Sequence, residues 1–141
     1  MGGTGLTPSL QTRDREGILQ IAYVVSIVDD DRAIRLALGS LIRSLGWQVR
    51  MYESAEEFLS SGEAVHTACL ISDVLMPGMS GIEMYEHLRA QGHAPSTIFI
   101  SACPSASLEA QVMNAGALAL LPKPFDAATL THWVSLGLRT S

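Results

Sequence analysis

The sequence predicts an α/β fold in which five parallel strands alternate with five helices, a doubly wound (βα)5 sheet. Three observations carry this. The 141 residues suit one domain. From Ala22 onward, short β-branched runs alternate with amphipathic stretches at helical spacing. The acidic, hydroxyl and ammonium groups fall just after the apolar runs, at the carboxyl ends of strands, where such sheets hold their ligands.

The elements follow in order. Residues 1–20 are rich in Gly, Thr, Ser and Gln and show no apolar period, so residues 1–21 are expected to be a flexible leader and 22–141 the folded domain. Residues 23–28 (Tyr-Val-Val-Ser-Ile-Val) read as a buried first strand. Over 33–45, Ile34, Leu38, Leu41, Ile42 and Leu45 form a helical stripe that Gly46 ends. Residues 47–52 alternate Trp47, Val49 and Met51 against Gln48, Arg50 and Tyr52, a second strand. Ser54 then caps a helix, with Glu57 as its expected capping-box partner.

Residues 68–72 are a third strand and 82–91 a helix closed by Gly92. Residues 97–100 are a fourth strand, 108–114 a helix ending at Gly116, 118–121 a fifth strand, and 130–138 a last amphipathic helix. Trp133 and Leu136 on that helix are expected in the core with Leu130.

Composition removes several function classes. With 48% hydrophobic and 16% charged residues the chain is globular rather than disordered. No apolar run approaches the roughly 20 residues of a membrane span, and residues 1–20 lack the pattern of a signal peptide. Cys69 and Cys103 fit free thiols in a reduced, cytoplasmic protein. A net charge of −5 disfavours contact with a nucleic-acid backbone. His66, His87, His93 and His132 show no metal-ligand spacing and read as surface residues.

The residues just after each strand carry the chemistry. They are Asp29, Asp30 and Asp31 after the first, Asp73 after the third, Ser101 and Ala102 after the fourth, and Lys123, Pro124 and Phe125 after the fifth. Carboxylates crowded in one cleft repel one another and favour protonation or a bound cation. Oxygen-only ligands suit a hard ion such as Mg²⁺. A carboxylate can also take up a phosphoryl group as an aspartyl phosphate, while the metal and an ammonium offset charge on the phosphoryl oxygens. Ser101 offers a hydroxyl for those oxygens, and Lys123 the ammonium. Asp31 reads mainly as a helix cap.

Taken together, Asp29-Asp30, Asp73-x-x-Met76-Pro77-x-Met79-x-Gly81, Ser101-Ala102 and Lys123-Pro124-Phe125 resemble the receiver domain of two-component response regulators. The resemblance covers residues 22 to about 138. It implies a flavodoxin-like sheet of strand order 2-1-3-4-5. It implies Asp73 as phosphoacceptor, with Mg²⁺ (or Mn²⁺) held by Asp30, Asp73 and the Leu75 backbone carbonyl. Asp29 would act through a metal-bound water, Ser101 and Lys123 would hold the phosphoryl group, and Ala102 would border it. The Lys123–Pro124 bond is expected to be cis.

The implied partners are a sensor histidine kinase and an output domain or effector protein, with a homodimer through the fourth helix, fifth strand and fifth helix as a further expectation. The chain would be a phosphoacceptor with at most slow self-dephosphorylation rather than an enzyme. Direct contact with nucleic acid or membrane is not expected.

The chain departs from the family pattern at Leu120, where the family's switch usually carries an aromatic residue. Pro122 before Lys123 predicts a local irregularity in the fifth strand, and Cys103-Pro104 stiffens the loop entering the fourth helix. Two other readings stay open at this stage. One is a phosphorylation-independent receiver-like interaction module. The other is an aspartate-nucleophile phosphatase, which would need its nucleophile after the first strand, where Asp29-x-Asp31 is followed by Arg32-Ala33.

Overall fold

The computed structural model describes residues 10–13 and 19–139, with side chains from Tyr23 onward. Most of the expected leader therefore lies outside the described residues. Within it, Leu10–Arg13 and Leu19–Ala22 pair as antiparallel strands, with Leu10 opposite Ala22. Nothing in the composition of residues 1–20 predicts this strand pair.

The main sheet has five parallel strands: β1 (Val24–Val28), β2 (Gln48–Tyr52), β3 (Cys69–Asp73), β4 (Ser96–Ser101) and β5 (Ala119–Pro122). Their order is 2-1-3-4-5, as expected of a flavodoxin-like fold. The helices are α1 (Arg32–Ser44), α2 (Ala55–Ser61), α3 (Gly81–Ala90), α4 (Ala106–Ala115) and α5 (Ala127–Arg139). A short 3₁₀ turn, Glu63–His66, links α2 to β3.

Alternation along the strands divides the core. Val25, Ile27, Cys69, Ile71, Ile98, Ile100, Ala119 and Leu121 face one side, where Leu38 and Ile42 of α1 and Leu130, Val134 and Leu138 of α5 cover them. Val28, Leu70 and Phe99 face the other side, against α2, α3 and α4. Trp47, Val49, Met51 and Trp133 pack half-buried on the first cluster; Leu136 is only partly buried and belongs to neither core. No helix among the described residues is long and apolar enough to cross a membrane.

Caps set the helix starts. The Asp31 carboxylate accepts from the Ala33 and Ile34 amides at 2.9 and 3.4 Å, so its expected role as a cap holds. Ser54 accepts from Glu57 N at 3.0 Å, but the Glu57 carboxylate reaches back to Glu53 N at 2.7 Å instead of closing the expected box on Ser54. The full capping box lies at Ser80 and Glu83, directly after the Asp73 loop. Ser105 and Asp126 start α4 and α5 before their first apolar residues, so both helices begin earlier than the apolar stripe predicts.

The irregularity expected at Pro122 is absent. The register continues through Ser101↔Pro122, and Lys123 N donates to Ser101 O at 2.8 Å. Alternate amides of a strand point to opposite sides, so the donor that Pro122 lacks would face the open edge of β5, where no strand pairs among the described residues.

Candidate functional site

The carboxyl ends of β1, β3, β4 and β5 bring the predicted groups to one edge of the sheet. Asp29 follows β1 and is fully buried, although it is ionisable. Its amide donates to Tyr52 O at 3.2 Å, and its Oδ1 accepts from Asp31 N at 2.9 Å. Its carbonyl accepts from Arg35 Nη1 at 2.7 Å. Asp73 ends β3 and is also buried; its Oδ1 accepts from Leu75 N at 3.3 Å. Ligand oxygens of Asp29, Asp30 and Asp73 all lie within 4.8 Å of one another, with only Asp30 exposed.

Lys123 bridges two of these acids. Its Nζ lies 3.0 Å from Asp29 Oδ2 and donates to Asp73 Oδ2 at 3.1 Å. The contact to Asp29 is one of charge on charge, off the line of a hydrogen bond, so the buried Oδ2 of Asp29 accepts none. Burial pushes the Asp73 carboxyl above its ordinary range; the hydrogen bond from Lys123 opposes this, and the Asp29 charge adds to it. Burial pulls the Lys123 ammonium down, but its two carboxylate partners outweigh that and leave it raised.

Three carboxylates against one ammonium leave the pocket net negative. A buried carboxylate oxygen that meets an ammonium but accepts no hydrogen bond, within a close oxygen-only set, is what a hard divalent cation would satisfy. The donor set therefore fits such a metal.

Ser101 is buried at the end of β4, and its Oγ accepts from Cys103 N at 3.1 Å rather than bonding to Asp73. Ala102 beside it is exposed. Leu75, two residues beyond Asp73, is 71% exposed. The Lys123–Pro124 bond is cis, as the resemblance implies. Leu120 packs half-buried against the core cluster that contains Phe99 and Val112, and pairs with Phe99 across β4 and β5. The four histidines are exposed, Cys69 is buried and Cys103 exposed, both as free thiols.

Three neighbours support the site, of which Glu56 and Arg35 carry no signal in the sequence and Gly81 stands in the motif without a stated role. Gly81 packs so closely on the end of β3 that a Cβ there would collide with the Asp73 carbonyl oxygen, and would lie 2.8 Å from Ser72 Oγ. This close approach, not a left-handed backbone, requires glycine. Glu56 on α2 accepts from Met79 N at 2.9 Å and so holds the loop after Asp73. Arg35 showed no signal beyond being a cation on α1. Only Gly81 was legible as part of a motif.

Residues 25–135 match the response regulator receiver domain family. The chain is 36% identical over 117 residues to the transcriptional regulatory protein FixJ of Azorhizobium caulinodans, covering 83% of this chain and 56% of that protein. It is 40% identical over 116 residues to the response regulator protein TmoT of Ectopseudomonas mendocina, covering 82% and 53%. It thus spans about half the length of these relatives. Among solved structures it is similar to FixJ-N, with a TM-score of 0.78 at 29% identity, covering 86% of this chain and 98% of that one.

Proposed function

The chain belongs to the response regulator receiver domain family, and from that premise we propose that Asp73 accepts a phosphoryl group from the phosphohistidine of a sensor kinase. The observation that carries the reading is the Lys123 ammonium shared between Asp29 and Asp73 at 3.0 and 3.1 Å, inside a cluster of three carboxylates. In this reading residues 22–141 form the receiver unit and 1–21 a leader.

Mg²⁺ (or Mn²⁺), held by Asp30, Asp73 and the Leu75 carbonyl with Asp29 acting through a water, would supply positive charge against the phosphoryl oxygens. The protein's own groups do the rest. A carboxylate oxygen of Asp73 forms the new bond to phosphorus, the P–N bond to the donor breaks, and its electron pair leaves with the imidazole nitrogen. Lys123 is the ammonium poised to pair with the phosphoryl group. Ser101 leaves its bond to Cys103 N and donates its hydroxyl to a phosphoryl oxygen, with Ala102 at the border. Self-dephosphorylation is at most slow.

The readout in this reading is a shift of the α4-β5-α5 face, which selects an output domain, an effector or a second copy of the chain. Leu120 lies on that face and cannot present an aromatic hydroxyl, so any coupling there runs through apolar packing on the cluster of Phe99 and Val112. The relatives' printed descriptions as transcriptional and response regulators support a transcriptional output in this reading. The reading is tested by incubating the protein with acetyl phosphate, with Mg²⁺ or with a chelator. Uptake of one phosphoryl group only with Mg²⁺ is the expected result; no uptake in either condition leaves a phosphorylation-independent interaction module.

A further inference from the structure

The acid turn after β1 is held by one side chain that belongs to neither the carboxylate cluster nor the cap. Arg35 lies on the first turns of α1, and its side chain is only 11% exposed. Its amide donates to Asp31 O at 3.0 Å, and its guanidinium Nη1 donates to Asp29 O at 2.7 Å. One residue thus grips both ends of the Asp29–Asp31 turn, closing a ring from helix to turn and back.

The other partner of Arg35 is poor. Glu53 Oε2 lies 3.9 Å from Nη2, and the Glu53 side chain is 77% exposed. Burying a guanidinium against an exposed, distant acid contributes little to stability. The short, charge-assisted bond to the Asp29 carbonyl is the contact its burial achieves. That carbonyl belongs to the residue whose Oδ1 is fixed by Asp31 N, whose Oδ2 meets Lys123, and whose amide is tied to Tyr52 O. With Arg35 in place the amide, the carbonyl and Oδ1 of Asp29 are each held by a hydrogen bond, and only Oδ2 accepts none.

We propose that Arg35 is a positioning residue: it fixes the backbone of the acid turn so that Asp29 and Asp30 present their carboxylates to a divalent cation together with Asp73. The inference rests on the metal-dependent reading above. Arg35 touches neither cation nor phosphoryl group; it acts through the Asp29 carbonyl. Groups that orient metal ligands in this way typically change affinity by about 10-fold or more when removed.

The experiment is a Mn²⁺ titration of the full chain, with free Mn²⁺ read by electron paramagnetic resonance, on wild type, Arg35→Met, Arg35→Lys and Glu53→Gln. Thermal unfolding in chelator accompanies each. Arg35→Met keeps the apolar stem but no donor, and should weaken Mn²⁺ binding about 10-fold. Arg35→Lys should recover part of that loss through its single donor. Glu53→Gln should bind as wild type does. Equal Mn²⁺ affinity in Arg35→Met and wild type, with only the unfolding midpoint lowered, overturns the proposal and leaves Arg35 as a helix staple. Wild type that binds no Mn²⁺ overturns the metal reading and this inference with it. If Arg35→Met does not fold, Arg35→Lys decides: an affinity equal to wild type overturns the proposal, and a weakened one with an unchanged midpoint in chelator supports it.

Discussion

Lys123 Nζ donates to Asp73 Oδ2 at 3.1 Å, joining the residue after β5 to the residue that ends β3 although β4 lies between them. The lysine side chain is long enough to cross one strand, and its ammonium also stands 3.0 Å from Asp29 Oδ2 on the far side as an ion pair. A phosphoryl group on Asp73 would find this cation already placed.

Without metal, Asp73 is a liability to the fold. Its carboxyl is raised above the ordinary 3.8 by burial and by Asp29. Between that ordinary value and its folded one, the folded state holds the extra proton, so stability falls as pH rises through the window and the loss persists above it. Asp73→Asn removes the titration. In chelator at neutral pH it should be more stable than wild type, and the gap should close at low pH. Mg²⁺ should stabilise wild type but scarcely the variant. Urea unfolding at several pH values checks both.

Lys123→Met should behave in the opposite sense. It keeps the stem but leaves two buried carboxylates facing each other, so chelator-treated protein should lose about 3 kcal/mol. Saturating Mg²⁺ should restore part of this, because a divalent cation replaces the missing charge. A variant as stable as wild type in chelator would mean that the ion pairs contribute nothing net.

Gly81→Ala should strain the phosphoacceptor itself, since the new methyl meets the Asp73 carbonyl oxygen and Ser72 Oγ. A loss of about 1–3 kcal/mol is expected from such overpacking. Phosphoryl uptake from acetyl phosphate should slow, because the collision lies on the residue that reacts. Denaturation midpoints and initial uptake rates measure the two effects separately.

The two thiols should differ sharply. Burial pushes the Cys69 thiol up to about 12, whereas Cys103 is exposed in the loop after Ser101. Native protein at pH 8 should therefore react with a thiol reagent at Cys103 alone, and at both cysteines after unfolding. Rapid native labelling of Cys69 would contradict the packing of β3 against α5.

Much of this was legible in the sequence, because period-2 and period-3.6 patterns record burial directly. The alternation in β2 placed Trp47, Val49 and Met51 on one face, where they pack. The site acids were legible because they stand directly after apolar runs, and strand ends in a parallel sheet converge. What escaped depends on contacts with no local pattern. The bond from Arg35 to Asp29 needs a helix to fold back on the turn before it. The early starts of α4 and α5 depend on polar caps, not on apolar period. Pro122 was misjudged because its cost depends on which edge its missing donor faces, a property of strand order rather than of sequence.

The central claim is that Asp73 itself carries the phosphoryl group. The most direct measurement treats the protein with acetyl phosphate and Mg²⁺, reduces the acyl phosphate with borohydride to homoserine, and locates that residue by tandem mass spectrometry. Homoserine at position 73, absent from chelator-treated protein and from Asp73→Asn, is the predicted result. Homoserine at position 29 or 30, or at no aspartate in protein that is folded and metal-loaded, would contradict it.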